Sequence, residues 1–402
     1  MQRPFSTTPL CQRAQCRSVS VVVIAAVVAV VSVATPASAR TAGYTVVADH
    51  LANPRGLSFN AGSPSSEVLY VAEAGLGGGT PKTGVQVGTG QTGRVTAVRD
   101  ADTMNPHSAV VSSNLWSQTG SGDHGFETIG PAGIAVRNSD ALYVVMSENY
   151  SPNLGPQPQE GRLLSLNHQG QVRSVADVAT ASLRWETIPA NKALNPQFPD
   201  TNPYGVTTIG HEQFVVDAAA NTVNEITTRG QNSSVRVLAY LPNTPKSDAV
   251  PTCITQGPDG ALYVGTLAIA DGPGAATVYR VDPETTAPVT EAATVWARGL
   301  SAINGCAFSP DGRYFYASEF VALETLTGPP VGPPPSAVVE IPFGDPARHS
   351  YLGLGVLHFA GGVAVDAEGA VYVSNWSNQA AGAPIGQVLR FDRWACDRAR
   401  MR

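Results

Sequence analysis

The stretch PTCITQGPDGALYV, residues 251–264, decides the fold. Two short apolar runs flank Gly-Pro-Asp-Gly. Proline presets φ there and Asp and Gly tolerate positive φ, so the segment reads as two strands joined by a tight turn. The same line recurs five more times. NPRGLSF (53–59) is followed by LYV (69–71), PAGIAV (131–136) by LYV (142–144), and PYGVTT (203–208) by FVV (214–216). INGCAFSPDG (303–312) leads to FYA (315–317), and AGGVAVDAEG (360–369) to VYV (371–373). With Gly56, Gly133, Gly205, Cys253, Gly305 and Gly362 as anchors, the centre of each triplet lies 14, 10, 10, 10, 11 and 10 residues on. Unrelated segments would not hold that spacing, so the chain is built from one repeated unit.

A third strand follows each pair: GRVTAV from 93, GRLLSL from 161, NTVNEI from 221, TVYRV from 277, SAVVEI from 336 and GQVLRF from 386. A fourth follows in five units, as in VRSVADV from 172 and ATVWARGL from 293. Four strands per unit predict a blade, and six units predict an all-β, six-bladed β-propeller. The sixth unit lacks its fourth strand. The match stands at the other end, YTVVADHL at 44–51, directly before the first NPRG. The N-terminal strand is therefore expected to close the ring, because an open ring exposes sheet edges at both ends.

The first 39 residues read as an export signal. Arg3, Arg13 and Arg17 precede an apolar run of 16 residues at 19–34 and an Ala-Ser-Ala site at 37–39. That order is a secretory leader, and the run is shorter than the roughly 20 residues of a spanning helix. Cleavage after Ala39 leaves a propeller over 40–395 and a tail at 396–402. The expected mature protein is extracellular, monomeric and free of a membrane span. Cys11 and Cys16 go with the leader, and Cys253, Cys306 and Cys396 remain, too few for a disulfide scaffold. Cys253 and Cys306 stand one residue out of phase in the repeat. Alternation along a strand then predicts that they point apart.

Charged residues are 14% of the chain, the formal net charge is −6 and the pI is near 5.6. Loss of the leader's three arginines makes the charge −9. Nucleic-acid binders show a basic excess, which this chain lacks. GTGQTG at 88–93 has the G-x-G-x-x-G spacing, but it leads into a strand rather than a helix and so is no dinucleotide site. The seven histidines show no metal spacing, and His124 in a loop is the one that could reach a site.

The long connections fall between second and third strands (72–92, 147–160, 265–276, 318–335, 374–385) and between blades (115–130, 179–202). In a propeller both kinds emerge on one face, where function concentrates. Second strands end there with Glu73, Glu148, Asp217, Thr266, Glu319 and Asn375. First strands begin there with Asn53, Arg55, Asp200, Asn202, Tyr204, Thr252 and Asn304. This set is the candidate binding site. Carboxylate and amide oxygens around an axis suit Ca2+ or another divalent cation, while such residues also cap loop amides. Glu73, Asp217, Glu319 and the net charge favour a cationic or hydroxylated guest over a phosphate.

VADHLANPRGLSF (47–59), DTNPYGV (200–206), AVPTCITQGPDGALYVGTL (249–267) and GGVAVDAEGAVYVSN (361–375) resemble the ScyD/ScyE family of secreted proteins. The resemblance implies an exported, NHL-like six-bladed propeller and carries no settled activity. More distantly the architecture is similar to the SMP-30/gluconolactonase and strictosidine-synthase propellers, which hold a divalent metal with axial Glu, Asn and Asp. Glu73, Asn202 and Asp217 are the nearest analogues. Cys253 and Cys306 depart from the family pattern, and VVDAAAN at 215–221 replaces a glycine-rich run, so Asp217 is expected to aim differently. With no motif of catalytic geometry, the sequence favours a secreted module that binds a small molecule, glycan or protein on its loop-rich face. The alternative is a metal-dependent, lactonase-like hydrolase.

Overall fold

The computed structural model describes residues 39–392 except 41–42, 61–66, 79–87, 120–127, 139–140, 148–156, 168, 197–198, 245, 327–332 and 379–383. Residues 1–38 of the leader, His124, Glu148 and Cys396 lie outside the described residues. Six antiparallel sheets form the six blades. Blade 1 holds Pro54–Phe59, Val68–Glu73, Gly88–Arg99 and His107–Thr119, with Thr128–Ile129 added at its edge. Blade 2 holds Pro131–Asn138, Ala141–Met146, Arg162–Leu166 and Val172–Asp177. Blade 3 runs Pro203–Ile209, Glu212–Asp217, Thr222–Arg229 and Asn232–Tyr240, and blade 4 Pro251–Gln256, Leu262–Thr266, Ala276–Val281 and Ala293–Leu300. Blade 5 has Ile303–Phe308, Tyr314–Glu319, Pro335–Pro342 and Ser350–His358. Ala39–Arg40 lies parallel to this last strand, outermost in blade 5.

Blade 6 is assembled from both ends of the chain. Val363–Val365, Val371–Asn375 and Gly386–Phe391 come from the C-terminal part, and Tyr44–Leu51 supplies the fourth strand, with Tyr44 opposite Phe391 and Leu51 opposite Gly386. Val47, Ala48 and Leu51 of this strand are buried against Val388, Tyr372 and Leu57. The ring closes as the repeat requires.

The turn chemistry is the one the sequence announces. Gly260 and Gly369 take φ of 82° and 89°. Asp366 accepts the Ala370 amide at 2.7 Å and the Tyr372 hydroxyl at 3.0 Å, so the turn acid also anchors the following strand. The anchor glycines have a packing reason. A Cβ on Gly133 would stand 2.5 Å from the Tyr204 carbonyl oxygen, and one on Gly362 would stand 2.5 Å from that of Arg55. Each first strand thus touches the next backbone to backbone around the channel.

Three expectations need correction. Residues 88–92 and 115–119, read as loop, prolong the blade 1 hairpin, and GTGQTG lies inside its strand. The 179–202 connection is largely helical, with Val178–Glu186 and Pro189–Lys192. Asp177 caps the first helix by accepting the Thr180 amide at 3.0 Å, an arrangement that spares one of the orphan donors at a helix start.

The third correction is that Cys253 and Cys306 form a disulfide, with Cα atoms 5.7 Å apart. The repeat register stands: Cys253 lies opposite Gly265, as Gly205 lies opposite Val216. The step from register to contact was at fault. Alternation places successive residues on opposite faces of one sheet, but the two cysteines belong to neighbouring sheets whose opposite faces meet. The anchor Cβ direction points to the following blade, as Gly205 shows toward Cys253. Cys306, one position later, points back. Being out of phase is what lets the pair meet.

Candidate functional site

Five of the residues just before the anchors line the channel mouth: Arg55, Ala132, Tyr204, Thr252 and Asn304. The channel below them has a volume of about 70 Å³ and is walled by Leu57, Ile134, Val206, Ile254 and Val363. Arg55 reaches across blade 2, where the small Ala132 leaves room, into blade 3. Its Nη1 donates to the Tyr204 hydroxyl at 2.8 Å and its Nη2 to the Thr128 carbonyl at 2.8 Å. The guanidinium carbon lies 5.9 Å from the Tyr204 ring centroid. Arg55 is only 8% exposed, and its Nε has no partner. Thr252 donates to the Ile303 carbonyl at 2.6 Å, and Asn304 Nδ2 to that of Ala360 at 3.3 Å. The first strands are thereby tied to one another at the channel mouth. Asn53 lies behind it, its Nδ2 donating to the Gly75 carbonyl and the Thr128 hydroxyl.

The acids at the ends of the second strands have a different post. Glu73 Oε2 accepts the Ala52 amide at 2.7 Å, Asp217 Oδ1 the Asn202 amide at 2.7 Å, and Glu319 Oε1 the Ser301 amide at 2.8 Å. Asn375 Oδ1 accepts the His358 amide at 2.8 Å. Four blades thus use one device: the last side chain of the second strand caps the linker entering the same blade. In blades 1, 5 and 6 these linkers bend sharply, with Asn53, Ala302 and Phe359 at φ of 53°, 43° and 49° in the left-handed region, and orphan amides at such bends must find acceptors. Thr266 instead accepts from and donates to Thr277.

The candidate metal ligands therefore do not gather. Glu73 sits in blade 1, fully buried, with Oε1 taken by the Thr96 hydroxyl at 2.5 Å and Oε2 also paired with Arg94 Nη2 at 2.8 Å. Asp217 sits in blade 3, fully buried, its Oδ1 also accepting the Ala219 and Ala220 amides. Burial pushes the Asp217 carboxyl up, against the pull of those amides. Asn202 presents its backbone to Asp217. Among the described residues no group of three or more His, Cys, Asp or Glu could hold a metal ion.

Two acidic pairs escaped the sequence reading. Glu186, at the end of the inserted helix, is buried and accepts Asn195 Nδ2 and the Asp200 amide at 3.0 Å each. Burial, with Asp217 and Asp200 nearby, pushes its carboxyl up to about 7. The helix signal was present in the Asp177 cap and the alanine-rich VATASLRWE. Glu319 has Glu324 beside it, on a short 3-10 turn, and burial followed by that neighbour raises the Glu319 carboxyl well above its usual range. No spacing rule in the repeat could have announced Glu324, which lies in an irregular connection.

A family model described as "SMP-30/Gluconolactonase/LRE-like region" matches residues 115–394. No curated protein matches the sequence. Among solved structures, the nidogen/laminin complex is similar with 14% identity, covering 74% of this chain and 93% of that one at a TM-score of 0.44. Regucalcin from Agrobacterium tumefaciens, titled a calcium-binding protein, is 18% identical, with 61% and 67% covered and a TM-score of 0.38. A streptogramin B lyase is 11% identical, with 87% and 96% covered and a TM-score of 0.44. Among the described residues no helix is long and apolar enough to cross a membrane.

Proposed function

The chain belongs to the SMP-30/gluconolactonase/LRE-like family, and we propose that it serves as an exported binding propeller that takes a small molecule at its channel mouth without a metal. One observation carries this reading: the candidate ion ligands are turned to structural posts, Glu73 to the Ala52 amide, the Thr96 hydroxyl and Arg94, and Asp217 through Oδ1 to the Asn202, Ala219 and Ala220 amides, while Arg55 lines the channel mouth. A fixed positive charge at the channel mouth repels a divalent cation, so these residues do not fit the ion the family implies. Export is supported by the leader and by the Cys253–Cys306 disulfide, since such bonds persist in oxidising compartments. The resemblance to the ScyD/ScyE proteins supports the same reading.

Family membership favours a second reading, a metal-dependent lactonase. Divalent-metal content of the purified chain, with hydrolysis of an aliphatic γ-lactone before and after chelation, separates the two. The binding reading predicts no stoichiometric ion and no turnover above buffer. One ion per chain whose removal stops hydrolysis would overturn it.

A further inference from the structure

Arg55 is an anomaly of charge. Three partly exposed arginines pair with acids: Arg94 with Glu73, Arg162 with Asp177 and Arg280 with Asp259, each at 2.8 Å. The buried Arg55 has no acid within ion-pair distance among the described residues, and its two hydrogen bonds end on neutral oxygens. A guanidinium carries five N–H donors, so three remain unspent. Buried charges are ordinarily paired. Tyr204 adds a further donor. Its oxygen accepts from Arg55, so its own hydrogen points elsewhere, and among the described residues it has no acceptor. Both side chains line the channel.

We propose that the channel mouth is an anion site for a short aliphatic carboxylate, with Arg55 as the counter-charge and the Tyr204 hydroxyl as second donor. The volume of about 70 Å³ holds several water-sized groups, enough for a carboxylate and a carbon or two. Leu57, Ile134, Val206, Ile254 and Val363 offer the tail an apolar wall. A planar carboxylate matches the fork of a guanidinium, whereas a doubly charged phosphate would be left with one cation at the mouth. This proposal rests on the metal-free reading of the mouth.

The test is calorimetric titration of the full chain, treated with chelator, with acetate, its neutral isostere acetamide, and inorganic phosphate at pH 7. Acetate should bind saturably and in preference to both others. Arg55→Gln should weaken acetate at least about tenfold, the usual worth of a charge-assisted hydrogen bond. Arg55→Lys, which keeps the charge, should lose less than Gln does. A purely structural tie between Thr128 and Tyr204 would suffer equally from Lys and Gln. Should Arg55→Gln fail to fold, the choice of acetate over acetamide by the parent still decides. No saturable acetate binding, equal binding of acetate and acetamide, tighter binding of phosphate, or unchanged binding in Arg55→Gln each overturns the proposal. Acetate binding that appears only when Ca2+ is restored would instead overturn the metal-free reading. Acetamide binding without acetate binding would leave that reading standing and remove the anion.

Discussion

Removing residues 41–51 from a chain that starts at Arg40 should cost far more than the loss of eleven residues at a terminus usually does. The truncation takes away the fourth strand of blade 6, Tyr44–Leu51. Val47 and Leu51 are each 2% exposed and Ala48 is 6% exposed. Full burial of a Val or Leu is worth about 1.5–3 kcal/mol, and a buried methyl adds somewhat under 1 kcal/mol. The lost side chains alone then amount to roughly 4–7 kcal/mol by that bookkeeping, before counting the backbone bonds from Gly386–Phe391 that turn to water. Whole domains are stable by only about 5–15 kcal/mol. Urea titration followed by tryptophan fluorescence should show the truncated chain unfolded or nearly so, and size exclusion should show association through the bared edge. A truncated chain within about 1 kcal/mol of the parent would refute the argument, because the buried areas predict several times that.

Reducing the Cys253–Cys306 bond, which spans 53 residues, should destabilise the chain by up to about 4 kcal/mol on the loop-entropy relation; non-reducing peptide mapping without a 253–306 cross-link would contradict the structure. Glu186 is raised from 4.5 to about 7 in the folded state, so the folded chain holds a proton the unfolded chain has released between those values. Stability falls as pH rises through that window, and the penalty is complete above it. Glu186→Gln should therefore gain at pH 8, by at most about 3 kcal/mol at 1.36 per unit, and gain nothing at pH 4. Equal effects of Glu186→Gln at the two pH values would exclude this linkage. Val250 takes φ of 53°, a conformation β-branched residues avoid, at the place Asn53 holds in blade 1; Val250→Asn should raise stability by up to about 1 kcal/mol, and a loss of that size would count against strain there.

The architecture was legible because it is periodic. Six anchors and six triplets fix the blades, and the missing strand after Phe391 points to Tyr44–Leu51. What escaped the sequence depends on which sheet a side chain meets, something period-two alternation does not encode. Cys253 and Cys306 are the clearest case. Glu73, Glu319 and Asn375 were read as part of an axial set, but they turn to linkers that bend through the left-handed region at Asn53, Ala302 and Phe359, and no glycine in the sequence signals the bend at Ala302 or Phe359. Arg55 was named among the first-strand residues, yet its importance comes from the small Ala132 beside it and from partners as distant as Tyr204.

The central claim is that a metal-free channel mouth receives an anion at Arg55. Its most direct measurement is the Arg55 Nε–H resonance in the full chain labelled with 15N-arginine, assigned by its disappearance in Arg55→Lys and followed through an acetate titration in the presence of chelator. The account predicts a saturable shift of that signal to lower field, as the unpartnered Nε of a buried guanidinium feels the carboxylate. A signal that stays still under acetate, or that moves only when a divalent cation is added, would contradict it.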